Sequence, residues 1–273
     1  MDNTKKTAIT VISTFAAVIA IMIILIPFEK KNQLYDKWGK IAVIAETDQR
    51  AKYIIENEQL YPDEFISMLR IDPEKELDFV YNYPFHKDDY QTMSYTAEEL
   101  DGRIPALYMH DPRWAYQPYN GSYDVIKSGG CGFVALTMAY IALTGKTDQD
   151  PYKIMLTADS IGAMGLFSGL SNDSFVEMAQ KLGLNVTEYS FFDENAQKES
   201  HADIGLMKEI LDNGHIIIAS MFGGTFGSHM IVIRGYEGDS FYINDPEDEE
   251  NTSRLWSYDE LDPEMRYMWD LSA

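Results

Sequence analysis

Three side chains far apart along the chain carry the chemistry it could perform: Cys131, His229 and Asp245. Cys131 is the single cysteine, set in Ser128-Gly129-Gly130-Cys131-Gly132 ahead of a run of helix-compatible residues, 133–143, that ends at Gly145. The pattern predicts a buried helix with Cys131 on its first turn. Unpaired N–H groups and the positive end of the helix dipole at that position favour thiolate over thiol, which makes a nucleophile. Flanking glycines would let a substrate carbonyl approach the backbone closely. A lone cysteine is also often an inert core residue, so this stretch alone leaves both readings open.

The other two residues fall where the apolar period becomes that of strands. Residues 215–221 (HIIIASM) read as a buried strand, 222–227 as a glycine loop, and 228–235 (SHMIVIRG) and 240–245 (SFYIND) as two more strands. With Tyr236, Glu237 and Gly238 as a three-residue loop, Ile233 faces Phe241, Ile231 faces Ile243 and His229 faces Asp245. Paired side chains share a face, so an imidazole stands beside a carboxylate at the end of an apolar stripe. Asp245 would fix the ring tautomer and stabilise the imidazolium, leaving the second nitrogen for a thiolate. An incidental acidic neighbour of a strand-end histidine is the bland alternative. A cysteine at a helix start tips the balance to a nucleophilic site.

Near the N-terminus, residues 7–28 contain no charge, and their core, 8–26, is long enough to cross a bilayer as a helix. The run ends in Ile-Pro-Phe-Glu-Lys-Lys without a small-x-small cleavage site, which fits an uncleaved anchor. Lysines 5, 6, 30 and 31 flank it on both sides, and we expect the short tail inside and the large domain outside the cell membrane. Residues 33–58 have the composition of a helical stalk. Short helices should follow from Pro62-Asp63, carrying Phe65, Ile66 and Leu69, and from Asp72-Pro73, carrying Leu77, Phe79 and Val80. Thr96 to Glu99 fits a capping box, with a boundary near Gly102. The expected division is a tail (1–7), an anchor (8–27), a stalk with accessory helices (28–102) and a catalytic domain (103–273).

Further helices are expected at 151–160, 173–182 and 202–212. An aromatic loop at 110–121 either lines a cleft or packs. The formal net charge of −22 over 273 residues excludes ordinary nucleic-acid binding. One cysteine and five scattered histidines show no zinc spacing, and the acidic run 247–250 lacks the ligand pattern of a calcium loop, so no metal is expected. Residues 222–227 join two strands rather than opening a helix, so they are no dinucleotide fingerprint; we read them as a cleft wall with Phe226 near substrate.

Ser-Gly-Gly-Cys131-Gly before a helix, Ser-His229-Met-Ile-Val-Ile and Ile-Asn-Asp245-Pro resemble the papain-like cysteine peptidases related to bacteriocin leader-processing peptidases. Residues 107–114, Leu143-Thr-Gly145 and Gly227-Ser-His229 are similar to segments of the cell-surface, single-domain branch of that family, and the likeness covers about 104–269. The resemblance implies an α+β papain-like fold, with a helical part carrying the nucleophile and an antiparallel sheet carrying His and Asp. It further implies that Cys131 attacks a peptide carbonyl of a peptide or protein substrate, without a cofactor. His229 would act as base and then acid, and Asp245 would orient it. The family also uses a glutamine that helps the cysteine N–H hold the oxyanion; Met109 stands at that position and cannot donate a hydrogen bond. Gln117, Asn120 and His110 are the nearby substitutes. Gly130 and the residues after Cys131 depart from the family's Gly-Pro-Thr-like continuation, with Phe133 expected to narrow the cleft.

Overall fold

A computed structural model describes residues 37–90, 94–102, 104–118, 125–164, 169–192 and 200–273. The tail and anchor expected at 1–7 and 8–27, and Asn120, lie outside the described residues, among which no helix is long and apolar enough to cross a membrane. The chain forms two compact units that divide between Pro84 and Phe85, upstream of the boundary expected near Gly102.

The first unit holds α1 (Lys40–Ile44), α2 (Gln49–Glu56), α3 (Asp63–Ile71) and the start of α4 (Pro73–His86). A continuous stalk helix over 33–58 is not seen: a turn separates α1 from α2, whose start Asp48 caps by accepting the Arg50 N–H. The apolar positions expected on α3 and α4 are buried, and the Phe65 and Phe79 rings meet edge to face.

The second unit is built on helices α5 (Ile126–Gly129), α6 (Cys131–Thr144), α7 (Pro151–Ser160), α8 (Phe175–Lys181), α9 (Ile204–Asp212), α10 (Glu249–Ser253) and α11 (Tyr258–Leu261). Its strands are β1 (Asn185–Ser190), β2 (Ile216–Gly223), β3 (Gly227–Glu237), β4 (Ser240–Asn244), β5 (Leu255–Ser257) and β6 (Met265–Ser272). They form one antiparallel sheet in the order β1-β6-β2-β3-β4-β5. The α+β expectation therefore holds.

Both faces of the sheet are covered. Ile216, Ile218, Met230, Val232 and Trp269 pack with α6, α7 and α8, while Ile217, Ile231, Ile233, Phe241 and Met268 pack with α9 and Leu261 of α11. A strand buried on two faces has no polar side, which is why β2 opens on the apolar run Ile216 to Ala219. Helix α6 is equally enclosed, with every residue from Gly132 to Ile141 buried, so its sequence lacks a polar face. It stops at Gly145, whose φ of 67° is the left-handed conformation that favours glycine.

The β3–β4 hairpin differs from the expected register. Glu237 pairs with Ser240, so the loop is the two residues 238–239, and Ile233 pairs with Ile243 rather than Phe241. The two-residue loop alone would put His229 and Asp245 on opposite faces. A β-bulge inserts Arg234 as an extra residue between the pairs Ile233–Ile243 and Gly235–Tyr242, and the following pairs regain a register that returns both side chains to one face.

Candidate active site

Cys131 is the first residue of α6 and is half-buried. The chain turns into it through α5, and the approach is tight: a Cβ on Gly130 would lie 2.5 Å from the Ile126 carbonyl oxygen. A Cβ on Gly132 would lie 2.9 Å from Leu170 Cβ and 3.0 Å from Met230 Sδ. The glycines around the cysteine thus serve close packing of the chain on itself, whereas the sequence suggested room for a substrate carbonyl. The Met230 contact seats the first turn of α6 against the end of β3 that carries His229.

His229 and Asp245 are both buried. The imidazole Nε2–H donates to Asp245 Oδ1 at 2.6 Å, and Cys131 lines the same cavity as the ring, near enough to act on its charge. Asp245 is held from three sides. Its carboxylate accepts from the Glu247 N–H at 2.8 Å and from Asn251 Nδ2 at 2.9 Å, and its own N–H donates to Thr252 Oγ1. Asn251 and Thr252 lie on α10, whose start Asp248 caps by accepting from the Glu250 and Asn251 N–H groups. The acidic run 247–250 therefore has a use that its composition did not disclose: it builds the short helix that braces Asp245.

The charges follow from these contacts. Burial disfavours an imidazolium, but the hydrogen bonds and charges of Asp245 and Cys131 outweigh it and raise His229 to about 10. Burial likewise opposes ionisation of Asp245, and the hydrogen bonds from His229, Asn251 and Glu247 hold its carboxyl below its ordinary value. A proton is thereby kept on a ring that is bonded to a carboxylate and shares a cavity with the Cys131 sulfur.

Cys131 and His229 open on a cavity of about 270 Å³ with Met109, Leu170, Met221 and Met230 as its apolar wall and Ser128, Asn172, Ser220 and Arg266 as its polar wall. Met109 arrives there because Asn244 Nδ2 donates to the Pro105 carbonyl and the Met109 N–H donates to the Pro246 carbonyl at 2.7 Å. Other candidates lie elsewhere. Gln117 is buried outside the cavity, and His110 sits 3.5 Å from Glu249 with its ring stacked on Tyr108. Phe226, expected near substrate, packs on Trp256 with ring centroids 4.8 Å apart and does not line this cavity. Phe133 belongs to the core and does not narrow the cavity. The aromatic loop packs, with Trp114 fully buried and its Nε1–H donating to the Tyr108 carbonyl.

Asn172, Ser220 and Arg266 were not foreseen. Arg266 stands at a bulge where Ser220 pairs with Tyr267 but Met221 pairs with Met265, leaving Arg266 as the extra residue. Its guanidinium lies over the Phe192 and Phe222 rings at 5.0 and 4.7 Å. Among the described residues no group of His, Cys, Asp and Glu is arranged to hold a metal.

Comparison with known proteins bears on this geometry. Residues 110–270 match the family described as Peptidase_C39 like family. Among solved structures, the peptidase domain of Streptococcus ComA, a bifunctional ABC transporter of a quorum-sensing pathway, is similar at 16% identity and TM-score 0.36, covering 53% of this chain and 92% of that one. A structure described as a C39-like peptidase from Bacillus anthracis is similar at 11% identity and TM-score 0.39, covering 62% and 95%. A double-glycine-motif protease from an AMS/PCAT transporter, solved with a leader peptide, gives 19% identity and TM-score 0.31, covering 56% and 89%. No curated protein matches.

Proposed function

The chain belongs to the Peptidase_C39 like family, and from that membership we propose that it is a membrane-anchored thiol peptidase acting on peptides outside the cytoplasm. The observation that supports the reading is the imidazole of His229, bonded to Asp245 at 2.6 Å and opening with Cys131 on one cavity. Cys131 Sγ attacks the scissile carbonyl, forming the S–C bond and an oxyanion. His229 passes its proton to the leaving amine as the C–N bond breaks, then takes one from the water that hydrolyses the thioester. Asp245 keeps the ring oriented and balances its charge. The oxyanion would be met by N–H groups of the first turn of α6, with Ser128, Asn172 and Ser220 as the polar groups nearest to hand. The uncharged stretch at 7–28 supplies the anchor.

A peptide-aldehyde probe tests the chemistry. Rapid labelling of Cys131 that is lost in His229→Ala supports it, and labelling no faster than a free thiol overturns it. Alkaline carbonate extraction and a membrane-impermeant maleimide test the anchor and its orientation: the chain should stay with the membrane and Cys131 should be reached from outside.

Met109 in the cleft wall favours a second reading, an inactive relative that holds peptides in the same cavity. It predicts peptide binding that is equal in wild type and His229→Ala, with no turnover in either.

A further inference from the structure

Among its described lining residues, the cavity beside Cys131 has one permanent positive charge and no carboxylate. Among the described residues that line it, Arg266 is the sole arginine or lysine and none is acidic, in a chain whose net charge is −22. Arg266 makes no ion pair with any described residue, and its Nε is buried without a hydrogen-bond partner. A guanidinium left in this condition in a protein so rich in Asp and Glu is uncommon, because partners of opposite charge are abundant.

Its placement is built rather than incidental. The bulge in β6 takes Arg266 out of the ladder with β2, and bulges re-aim a side chain. The backbone is pinned there by the Phe191 N–H, which donates to the Arg266 carbonyl at 2.9 Å. Phe192 and Phe222 hold the guanidinium through their rings without supplying an acceptor, so the group is oriented while its Nε–H has no acceptor among the described residues. A planar fork of N–H donors fixed in this way matches a carboxylate, which it can bind with two parallel hydrogen bonds.

We propose that Arg266 is the specificity residue of this cavity and that the substrate presents a carboxylate to it close to the scissile bond. The inference rests on the peptidase reading of the same site. The cavity of about 270 Å³ accommodates only a residue or two, so the carboxylate belongs to an Asp or Glu side chain adjoining the cleaved bond or to a nearby chain terminus. Methionines 109, 221 and 230 and Leu170 provide an apolar surround in which such a pair is shielded from water.

The test uses the full-length chain and two thiol reagents of similar size, iodoacetate and iodoacetamide. The ratio of their rates at Cys131 should fall about tenfold in Arg266→Gln, the effect of one charge-assisted interaction, and much less in Arg266→Lys. An unchanged ratio in Arg266→Gln overturns the proposal. A second measurement needs no variant: N-acetylated peptide amides containing Glu or Gln, and the Gln peptide with a free C-terminus, compete with iodoacetamide for the wild-type cleft. Preferential protection by the Glu peptide supports a side-chain carboxylate, and preferential protection by the free acid supports a terminal one. Equal protection by the neutral peptide, or protection by none, overturns carboxylate recognition. Failure of the peptidase reading is seen separately, as an iodoacetamide rate no greater than that of a free thiol.

Discussion

His229 holds its proton because Asp245 and Cys131 flank it, and the pH dependence has a definite sign. In the unfolded chain the ring titrates near its ordinary 6.5, and in the folded one at about 10. The interaction therefore adds stability in full below the first value, less above it, and none beyond the second. The difference in Tm between wild type and His229→Gln should shrink steadily across that interval. Asp245 works in the opposite sense: its folded pKa is lowered, so its contribution is present above the ordinary carboxylate range and fades as acid protonates it. Asp245→Ala should cost about 3–5 kcal/mol, since a buried partner is left unpaired. Gly130→Ala should also destabilise, by about 1–3 kcal/mol, because the added methyl meets the Ile126 carbonyl and the Cγ2 of its branched side chain. Met109→Gln should raise kcat/KM by about 100-fold if a missing oxyanion donor limits the rate. At this scale the helix-start position of Cys131 and the pairing of His229 with Asp245 were legible, each marked by residue type at an element's end. Arg266 was not, since only a register shift between β2 and β6 aims it at the cavity.

Among the elements, α6 and the apolar strands β2 to β4 were readable because full burial leaves a plain signature: apolar or small residues throughout and glycine at the stops. Strands β1, β5 and β6 were missed. The first is a largely exposed edge, the second has three residues, and the third mixes charged and aromatic side chains. The β3–β4 pairing failed on loop length, since Gly238 accepts a positive φ of 60° in a two-residue turn as readily as in the assumed longer one. Helix α10 yields a prediction of its own. Asp248→Ala removes its cap, costing about 0.5–2 kcal/mol, and should also slow peptide-aldehyde labelling of Cys131, because Asn251 then braces Asp245 less firmly. Gly145→Ala, at the far end of α6, should lower Tm by a comparable amount while leaving labelling unchanged. Differential scanning fluorimetry alongside labelling kinetics separates the two cases.

For the whole molecule the governing quantity is charge. With 44 acidic against 22 basic residues and an isoelectric point near 4.4, self-repulsion keeps copies apart at neutral pH. Turbidity should therefore peak close to pH 4.4 and clear on either side. The same abundance of acid gives no sign of the cationic cavity, which arises from where the sheet sends a single arginine.

The half-buried sulfur at the head of α6 has a last consequence, for oxidative damage. Peroxide converts a reactive cysteine first to a sulfenic acid, which is normally rescued by a neighbouring thiol that closes a disulfide. This chain contains one cysteine and no such neighbour. Recovery must come from a reductant outside the polypeptide, and where none is supplied further equivalents of peroxide carry the sulfur to the irreversible acids.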